Sequence, residues 1–386
     1  MRIGIVGAGI AGGLLAEQLR RPPGLTVSVF ERVQSNELAE AGTGLSIGPN
    51  AMKALRLHQR GLHDVLRTVS LPWETWSIAL ADGSPLLQID LRVLAEEPGI
   101  RLRWAELYRV MRAPLEGLAQ WGCTLEALEQ DAAGRLVPVF RRGGELMRDG
   151  GFDLLVAADG RYSRLRALTA GEPSMEVQGV CMWRLLVHDG SQCPFDDFGQ
   201  WFNGPNRLLA YALPGGAVHV AGAFPLAADL QIPEAARTPE AQRALFTPAD
   251  TLPCPAVAWM LDRMAAGFAD IHWARSQTTP MLRTLLEDRV LLLGDAAHGM
   301  VPTLGQGATQ AIEDGVLAAA VLRRGGSPTD VAAMREDRVA FVRDFSDEAS
   351  DTLLPGSDPV AGTRAKGEPA FTAKLRRLWT DVPDAI

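Results

Sequence analysis

The feature that most constrains this 386-residue chain is a glycine run wedged between a strand and a helix. Residues 2–6 read as a short buried strand. Gly7-Ala8-Gly9-Ile10-Ala11-Gly12 follows and opens a helix that the prolines of Arg20-Arg21-Pro22-Pro23 stop. A turn of this kind carries a pyrophosphate. Gly7 permits the tight turn, Gly9 lets the backbone approach the phosphates, and Gly12 lets helix and strand pack closely. The helix N-terminus, with the amides of Ile10 and Ala11, supplies partial positive charge. A second strand over 25–30 ends at Glu31, a carboxylate placed to accept hydrogen bonds from the hydroxyls of an adenosine ribose, with Arg32 beside it. Glu31 would repel a 2′-phosphate, so the loop suits a dinucleotide lacking one.

Two further signatures lie far downstream. Leu154 to Ala158 is a continuously apolar strand, as expected where both faces of a parallel sheet are covered, and it runs into Asp159-Gly160-Arg161-Tyr162-Ser163-Arg164-Leu165-Arg166. Val290 to Leu293 is another such strand. It ends in Gly294-Asp295-Ala296-Ala297-His298, followed by Pro302 and Gly305-Gln306-Gly307, which open a helix over about 308–324. Between these parallel-sheet segments the pattern changes. Alternating runs flank Asp82-Gly83, a hairpin signal, and strands of antiparallel character are expected at 180–188, 199–203, 207–213 and 217–224. Loop 42–50 opens a helix near Ala51, residues 101–121 read as helical, and 234–266 as helix broken by prolines. The stretch 355–369 reads as an extended loop before a short helix carrying Phe371, Leu375, Leu378 and Trp379.

The three glycine and aspartate signatures, in this order, resemble the group A flavoprotein aromatic hydroxylases, the para-hydroxybenzoate hydroxylase family, over most of the chain to about residue 345. The resemblance implies an α/β fold: a Rossmann-like FAD-binding domain built on a parallel sheet, plus an antiparallel β-sheet substrate domain. The corresponding division is 1–71, 101–177 and 275–345 for FAD, 72–100 and 178–274 for substrate, and 346–386 as a C-terminal extension. The implied cofactor is non-covalent FAD, with NADH or NADPH as co-substrate. Asp159, Gly160 and Arg166 match the motif that touches the FAD phosphate–ribose region and the transient nicotinamide. Asp295 matches the ribityl contact, and Pro302 lies against the flavin ring. The amides of Gly305, Gln306, Gly307 and Ala308, at a positive helix end, favour the negative charge of a reduced flavin. His298 is expected to be structural. Two positions depart from the family pattern. Trp104 stands where an Arg often contacts the flavin, so either the preceding Arg103 reaches over or Trp104 packs on the cofactor. Thr309 stands where Asn is frequent near the ring.

The implied reaction is hydroxylation of a small aromatic or N-heteroaromatic, phenol-like substrate with NAD(P)H and O2 through a flavin C4a-hydroperoxide, which requires no metal. The alternatives are an FAD-dependent oxidoreductase without oxygen insertion and a non-catalytic flavin-bound scaffold. The Trp-x-Trp-x-Ile-Pro signature of flavin halogenases is absent. On the expected strands, period-2 alternation offers Arg184 to pair with a substrate anion and Tyr211 to relay a substrate proton. Trp183, Trp201 and Phe202 are candidates for an apolar wall, and His219 for a further substrate contact. Composition narrows the partners. A net charge of −8 leaves no basic surplus for nucleic acid. No apolar run approaches the ~20 residues that span a bilayer. The four cysteines form no CxxC pair. The N-terminus shows no signal-peptide pattern, so a cytoplasmic monomer or homodimer is expected.

Overall fold

The computed structural model describes residues 1–34 and 43–384. One body is a six-stranded sheet ordered Thr284–Leu285, Val290–Leu292, Leu154–Ala157, Arg2–Val6, Thr26–Glu31, Ala119–Trp121. Every pair is parallel except the edge pair Thr284–Leu285 with Val290–Leu292. Its strands are apolar on both faces because both are covered. Ile3, Ile5, Val29, Leu154 and Val156 pack under the helices Ile10–Leu19 and Gln306–Arg323. Val6, Phe30, Leu155 and Ala157 pack under an antiparallel meander of Thr124–Gln130, Leu136–Arg142 and Glu145–Arg148, where Phe140 stacks on Phe30 at 4.2 Å.

The second body is a seven-stranded sheet ordered His272–Thr278, Glu176–Val187, Val218–Pro225, Asn206–Ala212, Phe198–Asn203, Thr75–Leu80, Pro85–Asp90. It is antiparallel apart from the junction of Phe198–Asn203 with Thr75–Leu80, where two segments far apart in sequence join in parallel. The helices Pro239–Phe246 and Pro255–Ala266 cover its outer face, and Trp183 is fully buried there, donating from Nε1 to Gln242 Oε1 at 2.8 Å. Its inner face turns toward the FAD-side body and the long helix Pro328–Ala349.

Three local expectations are corrected. Residues 101–121 are not one helix: Gly99–Arg103 is a strand, Trp104–Arg112 a helix and Ala119–Trp121 a sheet edge. Ile100 and Leu102 alternate toward the core while pairing with Gly44–Ile47, and that pairing overrides helical periodicity. Gly44–Ile47 is accordingly a strand within the expected 42–50 loop, of which Gly42 lies outside the described residues. The 355–369 stretch contains the helix Pro359–Ala365, capped by Asp358, whose carboxylate accepts from the amides of Val360 and Ala361.

Candidate active site

The N-terminal turn has the geometry its glycines require. Gly7 sits at φ +101°, and a methyl group there would lie 2.3 Å from the Ala158 carbonyl oxygen. At Gly12 a methyl would lie 2.0 Å from the Gly7 carbonyl oxygen, whereas at Gly9 the nearest atom is 3.9 Å away. Gly9 therefore faces open space and caps the helix Ile10–Leu19 without any side-chain hydrogen bond, leaving the first amides free for an anion. Glu31 is buried, and its two carboxylate oxygens accept from the amides of Ala8 at 2.7 Å and Val33 at 3.0 Å. Each oxygen keeps a further lone pair for ribose hydroxyls. Arg32 is exposed beside it. Arg112, not recognised in the sequence, reaches from the helix Trp104–Arg112 to the Ala8 carbonyl at 3.0 Å and to within 3.8 Å of Glu31.

Buried polar atoms without partners mark where FAD fits. They include Nε of Arg103, Nη1 of Arg112 and Oδ1 of Asp159. The other Asp159 oxygen accepts from the amides of Arg164 at 2.8 Å and Leu165 at 3.2 Å, and burial pushes this carboxyl up from its ordinary range. Gly160 follows it at φ +82°. Arg103 precedes Trp104 as the helix-capping residue, and Trp104 lines the cavity described below, tilted against Tyr108 at 5.4 Å. Two expected cofactor contacts have their polar groups engaged elsewhere. Arg166 is buried and clamps the carbonyls of Ala296 at 2.9 Å and Pro280 at 2.7 Å. The Thr309 hydroxyl accepts from the Gly48 amide and donates to the Gly305 carbonyl, both at 3.0 Å. Both residues shape loops that line the site.

The third signature is anchored by a buried charged network. Asp314 accepts from the Gly294 amide at 2.7 Å and from His298 Nε2 at 2.6 Å, and pairs with Arg335 at 2.8 Å and Arg283 at 3.4 Å. Glu313 pairs with Arg335 at 2.6 Å and Arg338 at 3.0 Å, and accepts from Asn50 and Gln310. The Gln306 carboxamide oxygen accepts from Asn50 and Gln310, both at 3.1 Å, so its side chain is structural and its backbone opens the helix. His298 is likewise structural. Gly294 at φ +59° and Gly305 at φ +65° turn the chain so that Asp295, Pro302, Gly305, Gly307 and Ala308 face one cavity.

That cavity, about 300 Å3, lies between this loop and the inner face of the seven-stranded sheet. Strand registers set its floor row by row. Met182, Ala223, Arg207 and Phe202 form one row; Arg184, Ala221, Leu209 and Gln200 the next; Leu186, His219, Tyr211, Phe198 and Trp76 the third. Small residues at Ala221 and Ala223 open the space between the arginines. The aromatic end is continuous: Trp73 stacks on Phe198 at 4.9 Å, Phe198 on Tyr211 at 5.2 Å, and Tyr211 on His219 at 4.7 Å. Burial pushes the Tyr211 phenol up, against the pull of Arg184 and Arg101, so it stays protonated. Burial, reinforced by Arg184, pushes His219 down to about 3, and its Nδ1 accepts from the Gly44 amide at 3.1 Å. His219 is thus a neutral ring that ties the strand Gly44–Ile47 to the sheet.

Arg184 and Tyr211 line the cavity as expected. Trp201 does not. Its neighbour Gln200 faces the cavity, and period-2 alternation sends the indole to the outer face against Phe195, at 5.3 Å between ring centroids. Trp183 is among the residues that line the cavity, although its indole is buried on the outer face against Gln242, and Phe202 packs in the inner core beside the cavity. Sequence reasoning missed Arg207, Gln200 and Phe198 as cavity residues, since only the registers bring them together, and Arg161, which reaches the cavity from the turn before the helix Arg164–Ala170. Arg161 lies 4.0 Å from Asp295, the one carboxylate among the described lining residues. Arg184 and Arg207 have no carboxylate partner among the described residues. Burial alone brings Arg207 down to about 10, and its Nε is left unpaired.

Comparison with known proteins accounts for this arrangement. Residues 265–349 match the family model "FAD binding domain". The chain is 30% identical over 355 residues to FAD-dependent urate hydroxylase of Klebsiella pneumoniae subsp. pneumoniae, covering 89% of this chain and 88% of that protein. It is 29% identical to 6-hydroxynicotinate 3-monooxygenase of Pseudomonas fluorescens, covering 84% and 83%, and 29% identical to salicylate hydroxylase of Pseudomonas putida, covering 100% and 94%. The crystal structure of Klebsiella pneumoniae HpxO complexed with FAD and uric acid superposes with TM-score 0.77 at 25% identity, covering 98% of this chain and 93% of that one. The chain belongs to the group A FAD-dependent aromatic hydroxylases, the para-hydroxybenzoate hydroxylase family.

Proposed function

We propose that this enzyme hydroxylates a small anionic aromatic or N-heteroaromatic ring, using FAD, O2 and NADH or NADPH. The observation that carries the anionic character is the pair Arg184 and Arg207: two cavity-lining guanidiniums without a carboxylate partner. A buried cation left unpaired is costly, and a substrate carboxylate, phenolate or acidic ring N–H supplies the missing partner. The relatives named for urate, 6-hydroxynicotinate and salicylate act on rings of this kind.

Bound FAD would supply the hydride-accepting and O2-activating chemistry, with NADH or NADPH as the reductant. The chain's own residues do the rest. Gly7, Gly9 and Gly12 with Glu31 hold the adenosine and pyrophosphate end, and Asp159 and Asp295 the middle. Pro302 and the amides opening Gln306–Arg323 set the ring against the cavity. Arg184 and Arg207 orient the substrate anion. Tyr211, a neutral phenol, donates to a substrate oxygen and holds its proton in place. Trp73, Trp76 and Phe198 exclude water. The division into 1–71, 101–177 and 275–345 for FAD, and 72–100 and 178–274 for substrate, is part of this proposal, as is a cytoplasmic monomer or homodimer. It accords with four free cysteines and with the absence, among the described residues, of a helix long and apolar enough to cross a membrane.

Two measurements test it. Aerobic NADH and NADPH oxidation by the FAD-loaded protein, against phenols, hydroxypyridines and purine oxo-acids, is expected to be stimulated by one ring class. Mass spectrometry under 18O2 should then show one labelled oxygen in the product. Stimulated oxidation without label would instead identify an oxidoreductase that does not insert oxygen. In the second, Arg207→Met is expected to stabilise the substrate-free protein, by about 1–4 kcal/mol, because it removes an unpaired buried charge. It should also raise the KM of an anionic substrate about tenfold, equivalent to about 1.4 kcal/mol. A destabilised variant with unchanged KM would reassign Arg207 to the scaffold.

A further inference from the structure

The C-terminal helix Pro369–Thr380 contributes a wall to the cavity. Its apolar residues Phe371, Leu375, Leu378 and Trp379 recur at helical spacing and are all buried, but they divide between two environments. Phe371 packs on Phe345 at 4.9 Å, away from the cavity. Leu375, Leu378 and Trp379 line the cavity, and Trp379 meets Trp73 edge-on at 6.4 Å. Trp73 in turn stacks on Phe198, three strands across the sheet from Arg184. At ~4.8 Å per strand, roughly 14 Å of floor separates the Arg184 side from the Phe198 side.

This wall is fixed. The last carbonyls of a helix lack intrahelical partners, and here cations from other elements take them up. Arg338 donates to the carbonyls of Leu378 at 2.6 Å and Arg377 at 3.4 Å, and Lys53 donates to that of Thr380 at 2.8 Å. Arg338 is itself held by Glu313, on the helix that the flavin loop opens. The wall's position is therefore tied to the loop against which the flavin ring sits.

We propose that Trp379 is the specificity-determining residue for substrate length: with its anion on the Arg184 side, a ring system extends toward Trp379, which closes the far end of the space open to it. The proposal rests on reading this cavity as the substrate site. It is tested by the dissociation constants of salicylate and 1-hydroxy-2-naphthoate, followed through the absorbance change of enzyme-bound FAD, so it needs no turnover. Wild type supplies the reference ratio of the two constants. Trp379→Ala, and Trp379→Leu should the first variant fold poorly, is expected to shift that ratio at least tenfold toward the two-ring acid. Phe371→Ala, on the same helix but facing Phe345, is expected to leave the ratio within twofold even if both affinities fall. An unchanged ratio in the Trp379 variants, an equal shift in Phe371→Ala, or no binding of either acid to any variant would overturn the proposal. Failure to hydroxylate with the ratio shifted as expected would count against the proposed reaction alone.

Discussion

Gly9→Ala is expected to fold normally and hold FAD at least tenfold more weakly, while Gly12→Ala is expected not to fold. The two glycines lie three residues apart in one motif, yet a methyl group has opposite consequences at each. At Gly12 it would overlap the Gly7 carbonyl oxygen at 2.0 Å and crowd the Ala158 Cβ at 2.9 Å, with backbone on one side and a packed strand on the other. Relief would need the helix Ile10–Leu19 to leave the sheet, which exceeds the ~1–3 kcal/mol of ordinary overpacking. At Gly9 the nearest atom is 3.9 Å away, so the fold has no reason to notice. The methyl instead occupies the space in front of the uncapped helix amides, where the pyrophosphate must approach, and a tenfold loss there is about 1.4 kcal/mol. Thermal unfolding of the apoprotein and fluorescence titration with FAD separate the two effects. Wild-type FAD affinity in Gly9→Ala would show that the phosphates lie elsewhere.

The second large effect concerns Arg335, fully buried between Glu313 and Asp314. Removing one partner from a buried ionic cluster leaves an uncompensated charge and costs about 3–5 kcal/mol. Arg335→Met is expected to lose stability on that scale. It should also weaken FAD binding, because Asp314 holds the Gly294 amide and His298 in the flavin loop. The pH dependence supplies an independent signature. Burial pushes the Glu313 carboxyl up, but Arg338 and Arg335 together pull it down to about 2, below its ordinary 4.5; the same balance puts Asp314 well below its ordinary value. A carboxylate depressed in the folded state contributes stability that is complete above its unfolded value and is lost as pH falls toward its folded value. The stability difference between wild type and Arg335→Met, measured by denaturant unfolding, should therefore be constant above about pH 5 and shrink from pH 4.5 toward pH 2. A difference independent of pH would show that Arg335 acts through packing rather than charge.

The N-terminal glycine turn was readable from local chemistry. A strand, three glycines and an acidic strand end have to be consecutive, because the turn that bares the helix amides is built from neighbours in the chain. The positions of Asp159 and Asp295 were readable for the same reason, each following a continuously apolar strand. Reading failed where a residue's partner is remote. The Arg166 guanidinium found the Ala296 and Pro280 carbonyls, and the Thr309 hydroxyl found the Gly48 amide, none of them near in sequence. The segment 101–121 carried helical spacing, but its first strand follows the partner Gly44–Ile47.

The substrate side shows the division most sharply. Period-2 alternation offered Arg184 and Tyr211, which do line the cavity, because alternation is a property of a single strand. It could not say which face would meet the flavin. Trp201 was therefore assigned to the cavity when Gln200 holds that place.

Local pattern was enough for the N-terminal glycine turn, the parallel sheet carrying it and FAD as the cofactor. Each of these rests on backbone freedom and charge within a few consecutive residues. Long-range packing settled which arginines line the cavity without a carboxylate partner among the described residues, that Ala221 and Ala223 open the floor between them, and that a helix from the far end of the chain closes the cavity with Trp379. Those features depend on strand register and on helices docked from distant segments, interactions whose energy comes from burial and whose partners no local pattern encodes.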